Sequence, residues 1–412
     1  MAKVQGLAPR AAALRMLDAV LRRGETLDLA ERQFAKGLTP SDRGLARAIA
    51  SETLRWLVDL DALIDSATKD VLPEDAKPRT VLRMMLAQWL RLDTPPHAVI
   101  ATGLELLSGG PRRLAHGVFS ALVKCEATLP EVPTLPSEVV ARWGERAPEI
   151  AAALAEPPPL DLALRDPAET ARWADALGGN SLAPGHVRLP RGSAVERLAG
   201  FEEGAWWVQD LAASLPARLL GRGEGRRVLD LCAAPGGKTL QLAAAGWQVT
   251  SLDKSVKRLD RLVENLDRTG LKAEVVAADA LTWEPSRAYD AILLDAPCTA
   301  TGTCRRHPDV LHRIGPRQIA EMAELQAQLL ARAADWLAPG GTLVYATCSL
   351  EPEEGEQQAA AVSLEPLPIE PVELPAGLVP SLDGTARTRP GQLAEFGGID
   401  GFFIARWQRA AQ

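Results

Sequence analysis

Two short segments hold the residues best able to do chemistry. In DAPCTATGTC, Asp295 to Cys304, a carboxylate and two thiols occupy a turn of small residues behind the aliphatic run AILL. In GTLVYATCSLEPEEGEQQ, Cys348 follows a second β-like run. A thiolate is a strong nucleophile even when only partly ionised, and it departs again readily. The chain has only five cysteines (125, 232, 298, 304, 348) and no C-x-x-C pair. This argues against a disulfide framework and against a zinc ribbon, so free thiols and no metal are expected. A free cysteine is most often a small buried hydrophobe. The position of Cys298 and Cys348 just past two strands, beside Pro297 and Ser349, points to more than packing.

A second constellation lies upstream. In RVLDLCAAPGGKTLQLA a strand runs into the tight turn Cys232, Ala233, Ala234, Pro235, Gly236, Gly237, and a helix opens at once from Gly237, with Lys238 in its first turn. Such a turn offers free backbone N–H groups and a positive helix end to an anionic or nucleoside ligand. The segment GGKT invites comparison with a phosphate-binding P-loop, but that template needs glycine at position 232, where cysteine stands. Later strands each end in an acid: Asp253 after QVTSL, Asp279 after EVVAA and Asp295 after AILL. Singly, each reads as a cap or turn residue. Together, behind a glycine turn, they point to a nucleoside site with Asp253 at the ribose, Asp279 at the adenine edge and Asp295 at the reactive end.

The elements that must position these groups alternate from Trp206 onward. Strand-like RVLDLCA, QVTSLD, EVVAAD, AILLDAP and GTLVYATCS are separated by helical patterns, which predicts a doubly wound parallel sheet; GFFIARW (401 to 407) is expected to close it as an antiparallel strand at its end. Residues 8 to about 129 instead show apolar residues at helical spacing with no β-branched runs, predicting an all-helical domain over 1–130. The proline clusters LPEVPTLP and EPPPL bracket a linker, and 160–205 reads as a small α+β piece. The domains expected are therefore 1–130, 131–205 and 206–412. Nothing in 360–395 suggests a chemical role.

Composition bounds the rest. With 47% hydrophobic and 24% charged residues the chain reads as an ordinary soluble protein, and no apolar run is long enough to span a bilayer. The start, MAKVQGLAPRAAALRMLDAV, has no signal-peptide pattern, so a cytoplasmic location is expected. Through residue 130 there are 18 basic against 15 acidic residues, and 28 against 38 beyond, a mildly basic front on an acidic body. That hints at nucleic-acid contact.

LDLCAAPGGKT, DAPCTATGT with the following RRHPD, and ATCS followed by EPEEGE resemble the motifs of the RNA cytosine-5 methyltransferases, in particular the bacterial small-subunit ribosomal RNA family called RsmB, Sun or Fmu. The helical front resembles the antitermination factor NusB, and DGFFIARW resembles the family's last strand. The fold implied is multidomain: a NusB-like all-α domain, a small α+β linker subdomain, and an α/β Rossmann-like methyltransferase domain using S-adenosyl-L-methionine.

The resemblance implies roles. Carbon 5 of cytosine is a poor nucleophile until a thiolate adds to carbon 6. Cys348 is implied as that nucleophile, Cys298 as the thiol assisting product release, Asp295 as the group over the cytosine edge and the donor's amino group, and Lys238 as a holder of the site's anionic groups. DNA enzymes of related chemistry attack with the proline-cysteine thiol, which here would be Cys298. The partner implied is 16S rRNA presenting a single-stranded or flipped cytosine, met by a monomer. Arg305, Arg306 and His307 could meet phosphates or form a solvated face. Arg22, Arg23, Arg112 and Arg113 are candidate RNA grips. Trp206 and Trp207 could stack a base but more often seal a junction. Cys232 is expected to pack, and Cys125 and Cys304 receive no role. A rival reading keeps the NusB-like domain as an RNA or transcription-factor binding module beside a vestigial methyltransferase half.

Overall fold

The computed structural model describes residues 6–411; Met1–Gln5, part of the N-terminal stretch read for a leader, lie outside the described residues. The chain divides into two units, residues 1–156 with 306–314, and 157–305 with 315–412.

The first unit is helical, from Leu7–Arg23 through Ala147–Leu154. Apolar residues three and four apart turn one stripe of each helix inward, so Met16, Leu17, Leu54, Leu60, Met85 and Phe119 are buried. Thr26 and Thr39 cap two helices by accepting from Leu29 N and Asp42 N. The segment 306–314 belongs to this unit. Its Asp309 carboxylate accepts from Leu27 N at 3.3 Å and from Arg313 Nε at 2.9 Å, and His312 Nε2 donates to Leu54 O at 2.7 Å. His307 lies 3.8 Å from Asp28, so it faces a carboxylate. Arg22, Arg23 and Arg112 form surface ion pairs with Asp18, Asp18 and Glu25, and Glu105 respectively.

The second unit holds two sheets. A small antiparallel sheet has the order β2-β1-β3, from β1 (Leu160–Leu164), β2 (His186–Leu189) and β3 (Trp206–Val208). Its centre is fixed by Asp161, fully buried, which Arg188 grips with two nitrogens at 2.7 and 2.8 Å while Leu211 N donates at 3.0 Å. Trp206 and Trp207 are buried in packing, their indole N–H groups donating to Ala199 O and Gln209 Oε1, so neither presents a stacking face.

The large sheet contains β4 (Arg227–Leu231), β5 (Gln248–Asp253), β6 (Glu274–Ala277), β7 (Tyr289–Asp295), β8 (Leu337–Thr347), β9 (Glu365–Pro366), β10 (Ala386–Thr388) and β11 (Phe402–Gln408). Its order is β10-β11-β8-β7-β4-β5-β6, with β9 against β11. Strands β4 to β8 are parallel, and β11 pairs antiparallel with β8. The expectation that GFFIARW ends the sheet is corrected: β10 lies outside it, pairing Arg387 with Phe403. The chain runs outward from β4 to β6, then returns to β7 and β8 on the other side. Strand order therefore reverses between β4 and β7, where such sheets open a crevice at their carboxyl ends. Among the described residues no helix is long and apolar enough to cross a membrane.

Candidate active site

The glycine turn after β4 is shaped by backbone that side chains resist. Cys232 has φ 60°, Gly236 has φ 107°, and the Ala234–Pro235 peptide is cis. A Cβ on Gly236 would fall 2.3 Å from Leu262 Cδ1, so only glycine lets the turn approach the neighbouring helix. The helix Gly237–Ala244 follows at once. Burial pushes the Cys232 thiol up to about 12, leaving it an inert packing residue.

A cleft beside this turn is lined by Cys232, Leu252, Asp253, Ala278, Asp279 and Pro297, among others. Asp253 is buried, its oxygens accepting from Ala234 N at 3.2 Å and Ser255 N at 2.8 Å. Asp279 is exposed and also caps its own turn through Leu281 N. The two sequence-chosen acids thus share one cleft, which reaches the residue before Cys298. Its acidic rim and apolar floor of Leu252, Ala278 and Leu329 suit a nucleoside.

At the end of β7, Asp295 Oδ2 accepts from Lys238 Nζ at 2.7 Å, and that ammonium also lies 5.4 Å from the Phe402 ring centre. Lys238 is buried, so it acts as a fixed cation beside Asp295. Behind them Asp230 is fully buried and pushed up to about 7, first by burial, with the Thr239 hydroxyl opposing and the charges of Asp295 and Asp253 adding to the rise.

The two thiol loops meet. Register places Asp295 opposite Ala346, so the turns after β7 and β8 start side by side, and Cys298 Sγ lies 3.4 Å from Cys348 Sγ. That contact, then burial, then the nearby charge of Glu354 push the Cys298 thiol well above the ordinary range. The loops are laced by Gly302 N donating to Cys348 O at 3.0 Å and Leu350 N to Thr301 Oγ1 at 3.0 Å.

Several residues escaped the sequence. Glu354, Thr299, Ser349 and Gln326 form a buried polar cluster behind the thiols. Arg387, inside the segment for which no chemistry was read, donates to Ser349 O and pairs with Glu356. The run EPEEGE was visible beside Cys348, but Glu351 and Glu354 are both buried, and which of them reaches the thiol loops depends on the 3-10 turn at Pro352–Glu354. One expectation is corrected: Arg305 is not a free phosphate contact, because its side chain is 1% exposed and donates to Gly397 O. Cys304 is buried.

Comparison with known proteins agrees with this geometry. Residues 217–408 match the family described as 16S rRNA methyltransferase RsmB/F, and residues 7–109 match the NusB family. The chain is 36% identical to ribosomal RNA small subunit methyltransferase B of Klebsiella pneumoniae, over 85% of this chain and 88% of that one. With the protein of the same name from Cronobacter sakazakii it shares 32% identity over 96% and 97%. Among solved structures, a Pyrococcus horikoshii methyltransferase homologue is 28% identical, with TM-score 0.55, covering 66% of this chain and 93% of that one. The protein designated PH0851 shares the fold at TM-score 0.71 and 22% identity, over 98% and 99%. The fold is a NusB-like helical domain ahead of a Rossmann-like methyltransferase domain, and the cofactor of such enzymes is S-adenosylmethionine. A parallel sheet whose crevice gathers a glycine turn, three acids and two thiols, and relatives alike along nearly the whole chain, lead to one conclusion: the chain belongs to the RsmB/F family of 16S rRNA methyltransferases.

Proposed function

We propose that this chain methylates carbon 5 of an unpaired or extruded cytosine in 16S rRNA, through a transient covalent bond from Cys348 to carbon 6. The 3.4 Å contact between Cys298 and Cys348 at the ends of adjacent strands carries this reading, because a reaction that needs two thiols at one base finds both at one point. S-adenosylmethionine supplies the methyl group, and the turn 232–237 with Asp253 and Asp279 would hold it.

The chain's own residues divide the remaining work. The Cys348 thiolate adds to carbon 6, making the ring an enamine-like species at carbon 5. Asp295, kept in orientation by Lys238 at 2.7 Å, hydrogen-bonds the base edge near nitrogen 3. Once carbon 5 is methylated, water takes up its proton, the C–H electron pair re-forms the 5,6 double bond, the sulfur–carbon bond breaks and Cys348 leaves as thiolate, with Cys298 assisting this release. A thiol pushed well up by its neighbour and by burial is a poor attacker, which favours Cys348 over Cys298 as the nucleophile.

The test uses unmodified 16S rRNA and two variants. Cys348→Ala abolishes covalent protein–RNA complexes and methylation, whereas Cys298→Ala accumulates the complex on denaturing gels. The reverse pattern reassigns the nucleophile, and label incorporated at a base other than cytosine ends the reading.

A further inference from the structure

Behind the two thiols sits a carboxylate that the reaction as described does not use. Glu354 is fully buried. Its Oε1 accepts from the Thr299 and Ser349 hydroxyls, the latter at 2.8 Å. Its Oε2 accepts from Thr299 N at 2.8 Å and Gln326 Nε2 at 2.9 Å. Among the described residues no Arg, Lys or His forms an ion pair with it, so four neutral donors alone compensate its burial. A buried charge costs several kcal/mol unless it is paired or fully hydrogen-bonded, and an apolar residue of similar size would fill the same space at less cost.

The donors are not scattered. Thr299 directly follows Cys298, and Ser349 directly follows Cys348. Gln326 holds the first loop a second time, donating to Pro297 O at 2.8 Å. The carboxylate's own backbone is tied to β8: Glu354 O accepts from Tyr345 Oη at 2.7 Å and from Thr347 Oγ1 at 3.2 Å. Every bond from this side chain ends on a residue next to a thiol or on the glutamine that fixes the same loop.

We propose that Glu354 is the positioning residue of the dithiol site, its carboxylate joining the Cys298 and Cys348 loops and thereby setting the separation of the two sulfurs. This rests on the reading that both thiols act in one covalent cycle. It adds the device that holds them together: both oxygens face donors, two per oxygen, and these donors oppose the upward push that burial gives the Glu354 carboxyl. In its ionised form, close to Cys298, it also disfavours the Cys298 thiolate.

The conservative variant separates shape from charge. In Glu354→Gln the amide oxygen can take the place of Oε2, accepting from Thr299 N and Gln326, while the amide nitrogen donates to the two hydroxyls, which rotate to accept. In Glu354→Ala both loops lose their common anchor.

Two measurements on the full-length protein test the proposal. In the first, diamide oxidises the thiols, taking up the two electrons and two protons released as the Cys298–Cys348 sulfur–sulfur bond forms, and peptide mass spectrometry follows the cross-link. Wild type and Glu354→Gln cross-link at similar rates, and Glu354→Ala does so at least tenfold more slowly. In the second, single-turnover methylation by Glu354→Ala falls roughly 100-fold, the scale that misplacement by about 1 Å produces, while its affinity for S-adenosylhomocysteine stays within about threefold. Glu354→Gln recovers most of that rate, and the alkaline limb of its pH–rate profile moves to lower pH.

Cross-linking and methylation at wild-type rates in Glu354→Ala overturn the proposal, as does an equal loss in Glu354→Gln and Glu354→Ala together with lost cofactor affinity, which marks a merely structural residue. The cross-link needs no RNA. A wild-type protein that cross-links as expected but forms no cytosine adduct therefore refutes the reaction, not the positioning role.

Discussion

Cys298 Sγ lies 3.4 Å from Cys348 Sγ, although fifty residues separate them in the chain. No space for a pyrimidine ring exists between sulfurs in contact, so in the proposed reaction a base would approach both from one side or part them on binding. Either way the two thiols would address neighbouring atoms of one ring.

The contact has a chemical signature. Because the bond with Cys348 is the first cause raising the Cys298 thiol, with burial second, Cys298 holds its proton above the pH at which an ordinary cysteine ionises. Iodoacetamide at pH 8 should modify Cys298 at least tenfold more slowly than a free cysteine peptide, since each unit of pKa rise cuts the thiolate fraction tenfold. In Cys348→Ala the first cause disappears and modification of Cys298 accelerates. Peptide mapping by mass spectrometry reads both rates.

The Lys238–Asp295 pair at 2.7 Å orients the carboxylate at the end of β7. Lys238→Met should cut single-turnover methylation about 100-fold by releasing Asp295 from its productive geometry. The melting temperature should drop only a few degrees, because Asp295 is 31% exposed and can turn to water. A variant methylating within threefold of wild type would remove Lys238 from the site.

Asp230 predicts a pH-dependent stability. Its folded value of about 7 lies above the roughly 3.9 of an unfolded aspartate, so the folded state binds this proton more tightly. The stability it contributes is fully present below about pH 4 and is lost as pH rises through about 7. Asp230→Asn has no such titration. Its stability relative to wild type should therefore climb between pH 4 and pH 8, by as much as roughly 4 kcal/mol at about 1.36 kcal/mol per unit. Urea denaturation at the two pH values measures the difference; a constant offset would place the carboxylate in a wetter setting.

Two glycines should respond oppositely to alanine. A Cβ on Gly302 would fall 2.1 Å from Gly401 O, in backbone that cannot step aside. Gly302→Ala should cost about 1–3 kcal/mol and displace the loop carrying Cys298, lowering activity with stability. Gly44, exposed within the helix Pro40–Arg55, has nothing within 4 Å of an added Cβ. Gly44→Ala should stabilise by about 0.5–1 kcal/mol through helix propensity, with activity unchanged. Thermal melts beside methylation assays separate the two.

Local pattern was enough for much of this molecule. Period-2 and period-3.6 apolar spacing located β4, β5, β7 and β8 and the front helices, since each depends on neighbours a few residues away. The glycine turn, the strand-end acids and the thiols were readable because their types and spacing are themselves the requirement. The indole rings of Trp206 and Trp207, and the guanidinium of Arg305, could be read either way; only their burial decides that they pack.

The sequence by itself determined that two thiols follow two strands and that acids stand at the ends of three, one of them shared with a thiol, because chemistry demands those residue types in order. Tertiary structure alone decided that the thiols touch, that Glu354, of the two buried acids in its run, binds both loops, and that Arg387 reaches Ser349 from a segment without an evident pattern. Those contacts join residues tens of positions apart through the side-by-side register of β7 and β8 and the antiparallel return of β11, and no local periodicity encodes which strands become neighbours.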